Sequence, residues 1–335
     1  MNEYLLLIKY GIYAFFVTLV ISPFIISFIK REKVKQVILT YVESHSIKAG
    51  TPTMGGIIFL ISIPVVALIC FKENSTLAKF SLLIFVAYGI IGFLDDFIKF
   101  KFKRNLGLTP IQKLVFQLII SIFVGFYVYK SGFVGSILIV PFTTISIDVG
   151  FWIIPIVAII YLATTNSVNL TDGLDGLASS TIFSYMLCFL IILLIFVQSN
   201  LIGISEILAA ELMNISTLCV VVCGAMLCFL VFNCFPAKIF MGDTGSLALG
   251  SLVASVAVFS RMSLFIPILG IMFVASSVSV IMQVAYYKLT KKRIFLMAPL
   301  HHHFEKKGVH EVRITVCYAL ITFIIGALVA VFSIF

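Results

Sequence analysis

Charged side chains are scarce in this sequence. Only 11% of its 335 residues are Asp, Glu, Lys or Arg, and 61% are hydrophobic. Soluble domains are about 25% charged, so this composition excludes an ordinary soluble protein and places the chain among membrane proteins. The apolar residues fall in long runs separated by short polar segments, which predicts repeated crossings of a bilayer.

Linkers and repeats are also missing. No charged or Pro/Ser-rich segment divides the chain, and no internal repeat or low-complexity tract is present. We therefore expect residues 1–335 to form a single integral membrane domain. The first apolar run, 4–29, lacks a basic leader and a small-residue cleavage site, which favours a spanning helix over a removable signal peptide. The seven cysteines lie mostly in apolar runs without nearby histidines, so we interpret them as buried hydrophobes.

The apolar runs predict an all-α polytopic membrane protein, because about twenty apolar residues cross a bilayer as a helix. We count about ten transmembrane helices. Their approximate limits are 4–29, 55–71, 77–95, 111–130, 151–166, 177–197, 212–233, 245–260, 264–287 and 312–334. The segment 131–150 is rich in β-branched residues with Gly and Pro, and predicts a short extracytoplasmic hairpin.

The basic residues predict the orientation. Of the 23 Lys and Arg residues, 18 lie in or beside one of the two alternating sets of connecting segments. The positive-inside rule makes that set cytoplasmic and places both termini outside the cytoplasm. The same bias accounts for the net charge of +9 without a nucleic-acid partner.

Aspartate is rare, and its distribution is informative. There are six aspartates, and all except Asp148 fall in the predicted cytoplasmic loops or at their edges. An acid at the centre of a span would cost about 2.5–3.5 kcal/mol. Asp95 is the last residue of the run 77–95 and Asp96 follows it, so we place the pair at the water boundary. Taken alone, a solvated helix end would explain them.

The local geometry of this pair predicts divided roles. Adjacent residues on a helix are about 100° apart, so Asp95 and Asp96 should not both point at one atom unless the helix breaks. Asp95 and Lys99 are four residues apart and should share a face.

A second acidic loop reads NLTDGLDGL. Asn169, Asp172 and Asp175 recur every third residue and would spread over about a third of a helix circumference. Glycines permit close approach of the backbone, and amides at a helix start favour anions. The alternative is a helix cap, but one cap needs only one such side chain. The loop is therefore a candidate binding site.

A third loop reads FPAKIFMGDTGSL. Asp243 stands between Gly242 and Gly245, and two hydroxyl residues follow at the start of the next span. Amides and hydroxyls suit phosphate oxygens, and one carboxylate suits a hard cation. Magnesium binds through one or two carboxylates together with substrate phosphate. The motif therefore predicts a phosphate and magnesium site.

Two further loops carry groups for an anion. Residues 298–305 read APLHHHFE, and hydrogen bonding to an anionic substrate explains the histidines better than zinc, because no Cys lies nearby. A plain polar loop is the alternative. Residues 48–56 read KAGTPTMGG, which suits a turn and phosphate binding equally. Acids, glycines, lysines and histidines together are the parts that phosphoryl transfer requires.

These motifs resemble a known family. FLDDFIKF, NLTDGLDGLA, FPAKIFMGDTGSLALG and APLHHHFE, with KAGTPTMGG upstream, are similar in sequence and order to the phospho-N-acetylmuramoyl-pentapeptide transferases. That family belongs to the polyprenyl-phosphate N-acetylhexosamine-1-phosphate transferase superfamily. The resemblance extends from about residue 48 to about residue 311.

The resemblance implies a multi-pass enzyme of the bacterial inner (cytoplasmic) membrane. Such an enzyme transfers phospho-N-acetylmuramoyl-pentapeptide from its UDP-activated form to undecaprenyl phosphate with Mg²⁺, giving lipid I and UMP. The transfer proceeds either by direct attack or through an aspartyl-phosphate, and the family is often homodimeric. A sister transferase that uses UDP-N-acetylglucosamine is an alternative. An ion-coupled transporter is disfavoured because the acids cluster at one face and no repeat is present.

The resemblance also implies residue roles. Asp243 is the expected magnesium ligand and a catalytic residue, Asp95 and Asp96 are catalytic acids near the lipid phosphate, and His302 is catalytic. The expected substrate-binding residues are Lys48, Thr53, Lys99, Lys113, Asn169, Asp172, Asp175, Gly242, Ser246, Gln283 and His303.

Overall fold

The computed structural model describes residues 3–32, 51–102, 107–199 and 205–333. Within these ranges the chain is almost entirely helical. The α-helices are α1 (Glu3–Arg31), α2 (Gly56–Cys70), α3 (Thr76–Lys101), α4 (Pro110–Lys130), α5 (Ile153–Thr171), α6 (Leu177–Ser199), α7 (Glu206–Asn233), α8 (Gly242–Phe259), α9 (Ile266–Leu269), α10 (Ile271–Thr290), α11 (Leu300–Lys306) and α12 (Glu311–Phe332).

Nine helices in the described ranges are long and apolar enough to cross a membrane. The remaining one of the ten predicted runs, 55–71, forms α2, which is apolar but has only 15 residues. At 1.5 Å per residue α2 is about 22 Å long, less than the roughly 30 Å hydrocarbon core of a bilayer. The prediction of an all-α polytopic membrane protein is confirmed, and the chain is a multi-pass membrane protein.

The acidic pair lies inside a helix rather than at its end. Residues 93–101 contain no Gly or Pro, and α3 continues to Lys101 instead of stopping at residue 95. Asp95 and Asp96 are therefore more than one turn from the helix end, and both are buried, with 3% and 5% of their surface exposed. A solvated helix end is excluded as the explanation of this pair.

A capping box fixes where α4 begins. The hydroxyl of Thr109 accepts from the backbone N–H of Gln112, and the Gln112 side chain accepts from the backbone N–H of Thr109. Pro110 occupies the first helical position, where its missing N–H costs nothing. This start places Lys113 in the first turn of α4.

Helix α8 lies at the centre of the bundle. It packs mainly against α3 and α5, and every residue from Thr244 to Phe259 is buried. Its small residues allow close helix approach: a Cβ at Gly250 would lie 2.7 Å from the Cα of Thr165, and one at Gly56 of α2 would lie 2.3 Å from the backbone N of Gly245. Small residues therefore hold the first turn of α8 tightly among its neighbours.

The predicted hairpin in segment 131–150 is present. Strands β1 (Ile137–Ile139) and β2 (Ser146–Asp148) pair antiparallel, with Ile137 opposite Asp148. The backbone N–H of Ile139 also donates to the carbonyl of Arg261, which ties the hairpin to the end of α8.

The run 264–287 does not form one continuous helix. It begins as a 3-10 turn, Ser263–Phe265, and continues as the short α9. Gly270 then separates α9 from α10, and α10 extends to Thr290. Gln283 therefore lies in the last two turns of α10.

Candidate active site

Side chains from three helices converge on one carboxylate in the first turn of α8. The Oδ2 of Asp243 accepts from the Nζ of Lys99 and from the Nζ of Lys113, each at 3.0 Å. Its Oδ1 accepts from the Nδ2 of Asn169 at 2.7 Å. The same amide nitrogen donates to the hydroxyl of Ser246 at 2.8 Å. Residues of α3, α4, α5 and α8 thus form one polar cluster.

Asp96 is bound to the same turn of α8. Its Oδ2 accepts from the backbone N–H of Thr244 at 2.9 Å and from the Thr244 hydroxyl at 2.7 Å. Thr244 is wholly buried. The GDTGS motif predicts a phosphate contact for the Thr244 hydroxyl, whereas in the structure this hydroxyl donates to Asp96.

Asp95 faces Lys99, as the four-residue spacing predicts. The Oδ2 of Asp95 lies 2.5 Å from the Nζ of Lys99, and its Oδ1 accepts from the backbone N–H of Leu108 at 2.8 Å. Lys99 also lies 3.9 Å from the Oδ1 of Asp96. One ammonium group therefore contacts all three acids of the cluster.

The two acids of the pair accept hydrogen bonds from different partners, and both still lie beside Asp243. Helix α3 is unbroken, yet Asp95, Asp96 and Asp243 each offer an oxygen within 4.8 Å of the others. The two side chains of α3 converge because Lys99 draws one carboxylate and Thr244 holds the other. Fully ionised, three carboxylates outweigh the two ammonium groups of Lys99 and Lys113.

This donor set fits a hard divalent cation. The three oxygens are of the type that magnesium prefers, and they lie close enough together to share one ion.

Glycine at position 242 leaves room for the acids. Gly242 has φ +70°, and a Cβ there would lie 2.6 Å from the Oδ2 of Asp96 and 3.0 Å from the hydroxyl of Thr53. Backbone bonds hold the Thr53 segment in place: Phe240 N–H donates to the carbonyl of Pro52, at 2.9 Å. Thr53 therefore borders the cluster. The predicted residue Lys48 lies outside the described residues.

The two acids of the DGLDG loop have different surroundings. Burial, followed by the charges of Asp243 and Asp96, raises the pKa of Asp172 well above its usual range. The Oδ2 of Asp175 instead accepts from the backbone N–H of Ala237 at 2.8 Å. The hydroxyl of Thr315 donates to the Asp175 carbonyl. The charges of the acidic cluster thus act on Asp172. Asp175 instead connects its loop to the α7–α8 connection and to α12.

The three histidines occupy different environments. His301 is wholly buried against the DGLDG loop, where a Cβ at Gly173 would lie 2.2 Å from its Nε2. Burial, with the neighbouring His302, lowers the pKa of His301 to about 3, so its ring is neutral at pH 7. The Nδ1 of His302 lies 2.8 Å from the Oε2 of Glu305. The sequence pattern singles out His302 and His303, but the packing role of His301 is visible only from its burial.

Gln283 and His303 brace the segment between α10 and α11. The Oε1 of Gln283 accepts from the backbone N–H of Phe295 at 2.9 Å and of Ile294 at 3.2 Å. The Nδ1 of His303 accepts from the backbone N–H of Leu296 at 3.1 Å. A neutral His303 therefore carries its proton on Nε2, from which it can donate to an anion.

Two family models match parts of this chain. A family model described as glycosyl transferase family 4 matches residues 77–261. A shorter model, described as phospho-N-acetylmuramoyl-pentapeptide-transferase signature 1, matches residues 48–60. These ranges contain the acidic pair, the DGLDG loop, the GDTGS motif and the Thr53 segment.

Three relatives named phospho-N-acetylmuramoyl-pentapeptide-transferase match nearly the whole chain. Identity is 42% over 313 residues with the protein of Clostridium novyi (strain NT), covering 93% of this chain and 92% of the relative. It is 41% over 322 residues with that of Clostridioides difficile (strain 630), covering 95% and 96%. It is 44% over 313 residues with that of Geobacillus sp. (strain WCH70), covering 92% and 91%. This chain belongs to the phospho-N-acetylmuramoyl-pentapeptide-transferase family.

Proposed function

We propose that this protein transfers phospho-N-acetylmuramoyl-pentapeptide from UDP-N-acetylmuramoyl-pentapeptide to undecaprenyl phosphate in the inner (cytoplasmic) membrane of a bacterium. The products are lipid I and UMP. The observation that carries the proposal is the convergence of Lys99, Lys113 and Asn169 on Asp243, with Asp95 and Asp96 beside it. Family membership supplies the substrates, since the relatives are named for this transfer. The expectation of a homodimer stays a prediction.

The chemistry that we propose is direct displacement at phosphorus. An oxygen of the lipid phosphate forms a bond to the phosphorus that bears the sugar. The bond from that phosphorus to the bridging oxygen of the diphosphate breaks, and UMP leaves with the electron pair. Such a reaction needs positioning and charge neutralisation more than covalent catalysis by the protein.

The residues of the cluster can divide this work. Asp95 positions the lipid phosphate or takes its proton. Lys99 and Lys113 place two positive charges where phosphate oxygens would gather, and both are held there by Asp243. His303 offers a donor from the neighbouring segment. Preorganised charges of this kind require no reorganisation at the moment of reaction.

Magnesium is part of the proposal. We propose that Asp243 holds the ion, with Asp95 and Asp96 within reach, because their oxygens lie within 4.8 Å of one another. When bound, the ion would neutralise charge on the diphosphate and on the departing UMP.

Metal removal tests this part of the proposal. We expect treatment of the purified protein with EDTA to abolish UMP release and an excess of Mg²⁺ to restore it. Ca²⁺ should restore less of the UMP release than Mg²⁺ does, because Ca²⁺ prefers more ligands at longer distances. Full activity in EDTA would contradict a role for the metal.

The choice of sugar nucleotide tests the function itself. The purified protein is supplied with undecaprenyl phosphate, Mg²⁺ and either UDP-N-acetylmuramoyl-pentapeptide or UDP-N-acetylglucosamine. We expect kcat/KM for UMP release to be at least about a hundredfold higher with the first, because polar subsites reject substrates that leave them unpaired. Equal or faster turnover of UDP-N-acetylglucosamine would identify the sister transferase instead.

A further inference from the structure

A part-buried amide pair joins α4 to α5 one helical turn from the acidic cluster. The Nδ2 of Asn166 donates to the Oε1 of Gln117 at 2.7 Å. Gln117 is wholly buried, and both residues lie in helices long and apolar enough to cross a membrane. Uncharged polar side chains in such helices are expensive unless they bond to each other across the bundle. The pair therefore fixes the register of α4 against α5.

This register decides where two residues of the cluster lie. Gln117 follows Lys113 by four residues, and Asn166 precedes Asn169 by three, so each amide lies one turn from a cluster residue on the same helix face. Lys113 and Asn169 bind opposite oxygens of Asp243. The amide pair and Asp243 thus close a ring that joins α4, α5 and α8.

Helix α3 is joined to the same point. The hydroxyl of Tyr88 donates to the backbone carbonyl of Gln117 at 3.1 Å. Tyr88 is wholly buried and lies seven residues, two helical turns, before Asp95. All the helices that supply Asp95, Lys99, Lys113 and Asn169 therefore meet at Gln117.

We propose that Gln117 is a positioning residue for phosphoryl transfer, acting through Asn166 to hold Lys113 and Asn169 on Asp243. Within the described ranges the side-chain nitrogen of Gln117 has no hydrogen-bond partner. The bonding role of this side chain therefore rests on its oxygen, which accepts from Asn166. The effect of Gln117 on the reaction passes entirely through the position of Lys113 and Asn169.

The test is a mutant cycle, and it rests on the proposed function. Gln117→Met keeps the side-chain length and removes the acceptor. We expect kcat for UMP release to fall about ten- to a hundredfold, since misplacement by about 1 Å can cost that much, while KM changes less than about threefold. Gln117→Glu retains acceptor oxygens and should recover most of the rate.

The decisive measurement is the same substitution in a Lys113→Ala background. Residues that act through one another are strongly non-additive, so Gln117→Met should there lower kcat less than about threefold further. Equal fractional losses in both backgrounds, or an unchanged kcat in the single variant, would overturn the proposal. If Gln117→Met does not fold, Asn166→Leu removes the same bond and is compared with Asn169→Ala in the same way.

Thr18→Val is the matched control. It removes a wholly buried bond between helices, from the Thr18 hydroxyl to that of Ser62, and its helix α1 supplies no residue to the cluster. We expect Thr18→Val to keep kcat within about threefold of the unaltered protein. A loss as large as that of Gln117→Met would mean that any buried bond matters equally and would overturn the positioning role. If the unaltered protein releases no UMP from UDP-N-acetylmuramoyl-pentapeptide, the proposed function itself fails.

Discussion

Replacing Asp243 by asparagine is expected to lower kcat for UMP release about a thousandfold while the protein remains folded. The carboxylate receives Lys99, Lys113 and Asn169, and it shares a region less than 5 Å across with two other acids. Asparagine keeps the shape but removes the charge that holds two ammonium groups and, in our proposal, the metal. The measurement is single-turnover UMP release at saturating Mg²⁺.

Asp148→Asn is the control for this prediction. It makes the same chemical change at an exposed residue of the β-hairpin, whose carboxylate accepts only from its neighbours Ser136 and Gly150 among the hydrogen bonds of the described residues. UMP release by Asp148→Asn should stay within about twofold of the unaltered protein. Near-normal turnover by Asp243→Asn would remove Asp243 from the mechanism.

Much of the fold could be predicted from the sequence because the bilayer constrains it so strongly. Apolar runs give the helices and their order directly, since a spanning chain must satisfy its backbone groups within each helix. Helix ends were less predictable. The run that ends at Asp95 looked complete, but α3 continues to Lys101 because nothing from residue 93 onward stops a helix. Hydropathy marks where polar residues begin, which is not where a helix ends.

The site was predictable in its parts but not in its arrangement. The residue types in the motifs around Asp95, Asn169 and Asp243 indicate cation and phosphate binding. The structure brings those three regions together. The roles of Thr244 and Gln117 depend on contacts between helices distant in sequence. One is a hydroxyl and the other an amide, and neither residue type is diagnostic in isolation. Only the packing of α3, α4, α5 and α8 distinguishes them from ordinary polar residues.

Close packing of α3 on α8 gives the second large prediction, at Gly92. A Cβ at this position would lie 2.1 Å from the carbonyl oxygen of Asp243 and 2.7 Å from the Cα of Thr244. Both are backbone atoms of the first turn of α8, so no side-chain rotation can relieve the overlap. A Cβ contact below 3.0 Å is not tolerated, and α3 and α8 must separate by about 1 Å in Gly92→Ala.

That separation should affect the reaction more than the fold. Overpacking costs about 1–3 kcal/mol of stability, whereas a 1 Å displacement of catalytic groups can lower a rate about a hundredfold. We therefore expect Gly92→Ala to lower kcat about a hundredfold, with a modest fall in Tm.

Gly89→Ala, one turn earlier on α3, is the matched control. The three atoms nearest to its Cβ would all belong to the Leu60 side chain, which can rotate away, so its kcat should change less than about threefold. Equal losses in the two alanine variants would show that crowding anywhere on α3 impairs the enzyme. A loss confined to Gly92→Ala would show that the distance between the acidic pair and Asp243 is what the reaction requires.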